Sequence, residues 1–159
     1  MTLTRKLTTL AAISGSFAIS AAASAATFTW SGAGGDANWT TGANWAGTAP
    51  SPLDTVDVLN FPNAPTAFPN TMNAVWTIAT LNVTNGSGTY ASNLDGNTLT
   101  VSGITTVNGP DNNLADISFS NGTYKPTTLR IAYGNNTVGN GRVTVTGTFD
   151  STNLGSVSV

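Results

Sequence analysis

The 159-residue sequence contains no cysteine, no histidine and no glutamate. The absence of cysteine excludes a disulfide framework, so stability has to come from a packed core or from stacked strands. Without histidine or cysteine the chain cannot build a Ser-His-Asp or Cys-His nucleophile, and it lacks the ligands that zinc, copper and iron sites favour. We therefore predict a protein that is not an enzyme and that holds no cofactor and no metal.

Basic residues are also scarce, and two of the five open the chain. Arg5 and Lys6 precede an apolar stretch, which is followed by an Ala-Ser-Ala cleavage site at 23–25. This order is typical of a secretory signal peptide, and the stretch is too short and too polar to anchor the chain in a membrane. We predict a signal peptide over 1–25 and a mature chain that begins near Ala26. Its location would be extracellular or at the outer surface of a bacterium.

Removal of the signal leaves three basic side chains against seven aspartates, a net charge of −4. The three cations, Lys125, Arg130 and Arg142, are scattered along the second half of the chain. Such a chain cannot neutralise a run of phosphates, which argues against nucleic acid as a partner. Insertion of the mature chain into a membrane is not expected, and attraction to an anionic membrane surface is excluded for the same reason.

The second half of the chain repeats a short triplet in which two aliphatic or aromatic residues flank a polar one. Side chains alternate between the two faces of a strand, so each triplet places two apolar groups on one face. We predict that these pairs line up inside the molecule as ladders. The six triplets are Leu81/Val83, Leu99/Val101, Ile117/Phe119, Leu129/Ile131, Val143/Val145 and Val157/Val159.

The first residues of successive triplets are 18, 18, 12, 14 and 14 residues apart. Sandwiches favour strands roughly every 8 to 12 residues, whereas a solenoid tolerates longer and uneven loops because only the inward residues must stack. An all-β parallel β-helix is therefore the first prediction of fold class. An antiparallel β-sandwich remains the alternative.

Three prolines at 62, 65 and 69 interrupt regular structure, because proline lacks the donor that a strand ladder needs. We predict an N-terminal cap over 26–69 and solenoid coils over 70–159. The sequence stops inside a triplet, so either the chain is a fragment or its last coil is left open. Unpaired strand edges invite pairing, so we predict self-association or continuation into a longer passenger-like chain.

Tryptophan is the residue type that argues for ligand binding. Trp30, Trp39 and Trp45, with Asp36 between them, can form a platform on which sugar rings stack while the carboxylate bonds hydroxyl groups. This interpretation predicts an exposed Trp39 or Trp45 and a surface polysaccharide as partner. The competing interpretation is that these aromatics, with Trp76, cover the open end of the solenoid, which is the commoner fate of large aromatic side chains.

Carboxylates are the remaining candidates for chemistry. Asp54 and Asp57 are close in sequence, but a separation of three residues places them on opposite faces of a strand, which favours solvated or turn-capping roles. The oxygen-rich segments 95–97 and 111–113 can bind calcium, although turns explain both without an ion. A polysaccharide-degrading enzyme is therefore the third and least favoured hypothesis.

The N-terminal region also carries a recognisable pattern of Trp, Gly, Asp and Asn. It resembles the start of bacterial autotransporter-associated β-strand repeat proteins, some of which end in a PEP-CTERM sorting tail, and the segment 95–103 is similar to a repeat unit of that family. The resemblance implies a right-handed parallel β-helix, secreted or surface-exposed, with a structural or adhesive role. The matching segments are Trp30-Ser31-Gly32, Gly34-Gly35-Asp36, Asn38-Trp39 and Asn44-Trp45.

Overall fold

The computed structural model describes residues 24–52, 54–62, 69–84, 88–109, 114–131 and 140–159. All but the last two residues of the expected signal peptide lie outside these ranges. A three-residue 3-10 helix, Gly42–Asn44, lies between the first two strands. The strands are β1 (Thr27–Thr29), β2 (Val58–Phe61), β3 (Pro69–Thr71), β4 (Trp76–Val83), β5 (Thr89–Asn93), β6 (Thr98–Val107), β7 (Leu114–Ser120), β8 (Thr123–Ile131), β9 (Asn140–Val145), β10 (Thr148–Phe149) and β11 (Ser156–Ser158).

These strands form two sheets, and from β2 to β10 the chain alternates between them. In the long sheet the order is β1, β2, β4, β6 and β8, with both β10 and β11 pairing with β8. The short sheet has the order β3, β5, β7 and β9. Every ladder between these strands is parallel. The chain is therefore a β-solenoid of about three turns, as predicted, and the alternative of an antiparallel β-sandwich is wrong.

One coil of the solenoid contains a strand from each sheet. Along the long sheet, residues in register are 22, 24, 24 and 28 positions apart, from Val58 through Thr80, Ile104 and Thr128 to Ser156. The shorter steps between the triplets therefore do not measure a coil. Both sheets contribute triplets, and the triplets of β4 and β6 occupy different positions along their strands. The long sheet also includes β1 and β2, so the stacking begins within residues 26–69.

The triplets contribute to the core, but not all of them stack directly on one another. Leu81 lies beside Thr105 and not beside Leu99, which instead lies between Trp76 and Tyr124. The first residue of each of the first four triplets is buried, and Val143 packs half-buried against the core. The predicted inward direction is thus confirmed for these residues. The predicted stacking of triplet on triplet is confirmed for Ile117 with Val143 and for Leu129 with Val157, and it is wrong for Leu81 and Leu99.

The last triplet is an exception to the inward pattern. Val157 is 53% exposed and Val159 is 93% exposed, whereas Leu129, the partner of Val157 in β8, is only 6% exposed. Among the described residues, no strand follows β11 in the long sheet. The prediction that this pair faces a dry interior is therefore wrong, because a residue of an edge rung has cover on one side only.

The connection between β5 and β6 is a tight turn, and its residues are of the types that the sequence identifies as turn-forming. Asp95 and Gly96 both have positive φ, 52° and 76°, and the amide of Asn97 donates to the carbonyl of Leu94 at 2.8 Å. This turn needs no ion, as the turn interpretation of residues 95–97 predicted. The second candidate calcium segment, 111–113, lies outside the described residues.

Candidate functional site

Five aromatic residues form a buried cluster at the N-terminal end of the solenoid. Trp39 and Trp45 have ring centroids 6.0 Å apart, and Trp30 packs edge-on against Trp45 at 5.0 Å. Phe61 and Trp76 complete the cluster, and each of its members is at most 3% exposed. The prediction of an exposed Trp39 or Trp45 is therefore wrong, and these indoles offer no open face for a sugar ring.

Hydrogen bonds fix the orientation of the two central indoles. The Nε1 of Trp39 donates to the Oδ1 of Asn70 at 2.7 Å, and the Nε1 of Trp45 donates to the carbonyl of Trp39 at 2.7 Å. Buried indole N–H groups usually find such a partner, and these two contacts make the ring positions depend on the surrounding backbone. The cluster is a structural core of this end.

Asp36 supports the loop that covers this cluster. Its Oδ2 accepts from the hydroxyl of Thr41 at 2.9 Å, and its Oδ1 accepts from the amide of Asn38 at 3.0 Å. These hydrogen bonds, with that of Asn38 first, lower the pKa of the Asp36 carboxyl below its usual value. Both oxygens thus have partners within the loop, and Asp36 stands apart from any exposed indole.

Asn44 locks the same loop from the inside. Its side chain is fully buried, accepts from the amide of Gly34 at 2.8 Å, and donates to the carbonyls of Asp36 and Asn38 at 2.8 and 3.0 Å. A Cβ at Gly34 would lie only 2.5 Å from the Oδ1 of Asn44. Glycine at position 34 therefore reflects the close approach that the buried amide requires.

The same segment closes the outer edge of β1. Trp30 and Trp45 form an antiparallel bridge, and the amide of Ala46 donates to the carbonyl of Thr29 at 2.9 Å. The inner edge is occupied as well, because the amide of Trp30 donates to the carbonyl of Asn60 at 2.8 Å. A further parallel coil cannot pair with β1 at these positions, so we call this the closed end.

A shallow pocket of about 260 Å³ lies beside the closed end. Three threonines and two aromatic residues are among the residues that line it. Because Trp45 is buried, Phe28, which is half-buried, is the more accessible of the two rings. The lining residues are Thr27, Phe28, Thr29, Trp45, Ala46 and Thr48.

The opposite end of the solenoid is different. We define the open end as the outer edges of β9, β10 and β11, with which no described strand pairs. Phe149 on β10 is 41% exposed, although its register partner Tyr124 is fully buried one rung below. Val157 shows the same contrast with Leu129. The rows of inward residues thus continue to this end and stop without cover.

A charged ladder runs along the short sheet toward the open end. Thr89, Asp116 and Arg142 are in register on β5, β7 and β9. The Nε and Nη2 of Arg142 donate to the two oxygens of Asp116 at 3.1 and 2.6 Å. Burial by itself raises the pKa of Asp116, but the hydrogen bonds from Arg142 and Thr89 and the charge of Arg142 outweigh it and hold the pKa below its usual value.

Sequence analysis missed this ladder, although a signal for it exists. Asp116 directly precedes the Ile117/Phe119 triplet, and Arg142 directly precedes the Val143/Val145 triplet. Opposite charges at equivalent positions of two triplets indicate that the two strands are neighbours. Of the other cations, Lys125 lies 3.0 Å from the carboxylate of Asp150.

The carboxylates do not assemble into a recognisable catalytic or metal centre. Within the described ranges, no group of three or more His, Cys, Asp or Glu side chains comes together. Asp54 accepts a hydrogen bond from the amide of Val56 at 3.3 Å, which is the turn-capping role predicted for it. Asp57 is buried, with 2% of its surface exposed.

Comparisons with known proteins give no assignment. No family model matches the chain, and no significant match was found among curated proteins or solved structures. The resemblance to autotransporter-associated repeats therefore stays a prediction. Within the described part of the chain, no helix has the length and apolar character that crossing a bilayer requires.

Proposed function

We propose that the mature chain is an exported, non-catalytic β-solenoid with a structural or adhesive role outside a bacterial cell. The signal-like N-terminus supports export, and the low charge with abundant hydroxyl and amide groups suits an extracellular surface. One observation carries the proposal. The two ends of the solenoid differ, since one is closed by an antiparallel contact and the other ends in exposed apolar residues.

The open end is an assembly surface on which a further rung of solenoid packs. In the purified protein, a second copy of the chain provides that rung. Val157 and Phe149 are exposed where the rung below is buried, and an outer strand edge offers unpaired amides and carbonyls. Backbone contacts at Thr29 and Trp30 block head-to-tail stacking onto the closed end. Two copies therefore meet through the same end, which gives a closed dimer. In a longer polypeptide the next coil takes this place.

Sedimentation velocity of the chain starting at Ala26, over a concentration series, tests this assembly. We expect a dimer at the higher concentrations and a monomer for Val157→Lys, because a charge in the new interface lacks a partner. Val75→Lys is the matched control, since Val75 is 51% exposed but lies before β4 and away from the open end. A wild-type chain that stays monomeric throughout, or a control that also dissociates, overturns the proposed assembly.

A second candidate function is glycan binding, and one observation favours it. The pocket at the closed end combines threonine hydroxyls with the partly accessible ring of Phe28. Trp45 also lines this pocket, so a bound sugar changes the intrinsic fluorescence. A titration with a panel of bacterial and plant polysaccharides, repeated with Phe28→Ala, tests the candidate. An unchanged spectrum across the panel removes it.

A further inference from the structure

Asp57 is a buried carboxylate that accepts a hydrogen bond from the backbone nitrogen of Ala26. The two atoms, Ala26 N and Asp57 Oδ1, are 3.3 Å apart, and Asp57 is 2% exposed. The carbonyl of Ala26 accepts from the amide of Val58 at 2.8 Å, so Ala26 and Asp57 face each other where the β1 and β2 ladder begins. The position of this nitrogen is therefore set by the sheet and not by a free tail.

The charge of Asp57 lacks compensation from neighbouring side chains. Burial is the main influence on the carboxyl and raises its pKa, and the carboxylate of Asp54 raises it further, while the hydrogen bonds from Ala26 and the Ser51 backbone lower it. Among the interactions of the described residues, none brings a cationic side chain to Asp57. A buried carboxylate with only amide donors is costly to ionise.

The sequence supplies a cation at this position when the signal peptide is removed. Cleavage after the Ala-Ser-Ala site hydrolyses the bond between Ala25 and Ala26. One water is consumed, Ala25 leaves with a carboxylate, and the nitrogen of Ala26 becomes a primary amine. The ordinary pKa of an α-amino group is about 7.7–8.0, so this amine carries a proton at neutral pH.

We propose that signal-peptide removal creates an α-ammonium group on Ala26 that the buried Asp57 carboxylate binds, so that the mature N-terminus completes an ion pair absent from the precursor. This inference rests on the proposed export with cleavage before Ala26. It gives the position of cleavage a structural meaning, because a chain that starts one or two residues earlier presents a neutral amide to Asp57. The folded state thus gains stability only after processing, and the precursor remains easier to unfold for export.

A double-mutant cycle tests the ion pair. The four chains begin at Ala26 or at Ser24, each with Asp57 or with Asp57→Asn, which keeps an oxygen acceptor in the same place. At pH 6 we expect the Ser24 start to increase the unfolding equilibrium constant about tenfold in the chain with Asp57. With Asp57→Asn we expect the two starts to be equal. An equal effect of the extension in both backgrounds overturns the pair.

The stability difference between the two starts is expected to depend on pH. A purely steric effect of the two extra residues would not produce this dependence. The difference in stability between the two starts grows as pH rises through the pKa of Asp57, because only the extended chain then buries a carboxylate without a cation. The difference falls again as the pH passes the pKa of the Ala26 amine, which the pair raises above its ordinary value. The titratable side chains, Asp54 included, are common to both chains, and the extended chain differs only in carrying its α-amine on the exposed Ser24. An Ala26 amine that titrates at or below its ordinary pKa, followed by NMR, contradicts the proposal.

This inference has two levels, which are cleavage before Ala26 and formation of the ion pair with Asp57. The intact mass of the exported protein distinguishes them. A mass that corresponds to a start at Ala26, with the cycle as expected, supports both levels. A start at Ala26 with a null cycle overturns the ion pair and leaves export standing. A different start, or no export, overturns the processing step even if the pair forms in a chain made to begin at Ala26.

Discussion

Arg142 on β9 holds the carboxylate of Asp116 on β7 with two nitrogen atoms, so one charged pair ties the outermost rung of the short sheet to the rung below it. The pair is unequal in burial, since the side chain of Asp116 is 3% exposed and that of Arg142 is 58% exposed. Loss of the arginine therefore leaves a buried carboxylate without its cation, although the hydroxyl of Thr89 still donates to it.

The first prediction concerns the pH dependence of this pair. Arg142→Gln lowers the midpoint of urea denaturation at pH 7, and the loss relative to wild type disappears in acid. The folded pKa of Asp116 lies below the unfolded value near 3.8, so its contribution is present above that value and is lost as pH falls through the folded pKa. Midpoints measured between pH 7 and pH 2 check this. A deficit of the same size at both limits contradicts the assignment.

The second prediction concerns a polar contact inside the solenoid. The hydroxyl of Tyr124 donates to the Oγ1 of Thr105 at 2.7 Å, and both residues are fully buried. Tyr124→Phe leaves the threonine without this partner and is expected to cost about 1–3 kcal/mol of unfolding free energy. Chemical denaturation measures it. The double variant with Thr105→Val should recover part of the loss, and additive losses would show that the two groups are not coupled.

The third prediction compares two positions of one ladder. Leu129 and Val157 are register partners, but Leu129 is 6% exposed and Val157 is 53% exposed. In the monomer, Leu129→Ala is expected to cost about 2–5 kcal/mol, because it opens a cavity in the core. Val157→Ala changes an exposed side chain and should stay within about 0.5 kcal/mol. Similar losses at both positions, in denaturation at low protein concentration, would mean that β11 is covered.

The fourth prediction concerns adjacent glycines in the loop over the aromatic cluster. A Cβ at Gly34 meets the Asn44 side chain at 2.5 Å, whereas a Cβ at Gly35 meets nothing within 4 Å. Gly34→Ala should therefore destabilise the chain by about 1–3 kcal/mol and alter near-UV circular dichroism from the buried indoles. Gly35→Ala is the control and should leave both measurements near wild type. Equal effects of the two substitutions would show that the Asn44 lock is absent.

The class of fold could be predicted from the sequence, because the polar and apolar alternation around Leu99 and Ile117 needs only the geometry of a strand. The register could be predicted only in part, as for Ile117 beside Val143. Thr105 occupies a core position between Leu81 and Leu129, and the hydroxyl of Tyr124 makes that position acceptable to a polar residue. No local pattern indicates this contact, which joins two strands of different coils.

The candidate site was harder to predict for the same reason. The spacing of the tryptophans indicates that they act together, but it is compatible with an exposed platform and with a buried cluster. The surrounding chain determines that the cluster is buried. Asn70 accepts a hydrogen bond from the indole N–H of Trp39, and residues 45–46 cover β1. The nearness of Ala26 and Asp57, 31 positions apart, likewise depends on the pairing of β1 with β2.

The most direct test of the account is hydrogen exchange of the mature chain at low and at high protein concentration, read by mass spectrometry of peptides. We predict that the higher concentration slows exchange in β9, β10 and β11, whose outer edges pair in the dimer, and leaves β1 unchanged. Added protection at β1 instead, or identical exchange at both concentrations, would contradict the claim that the open end is the assembly surface of this solenoid.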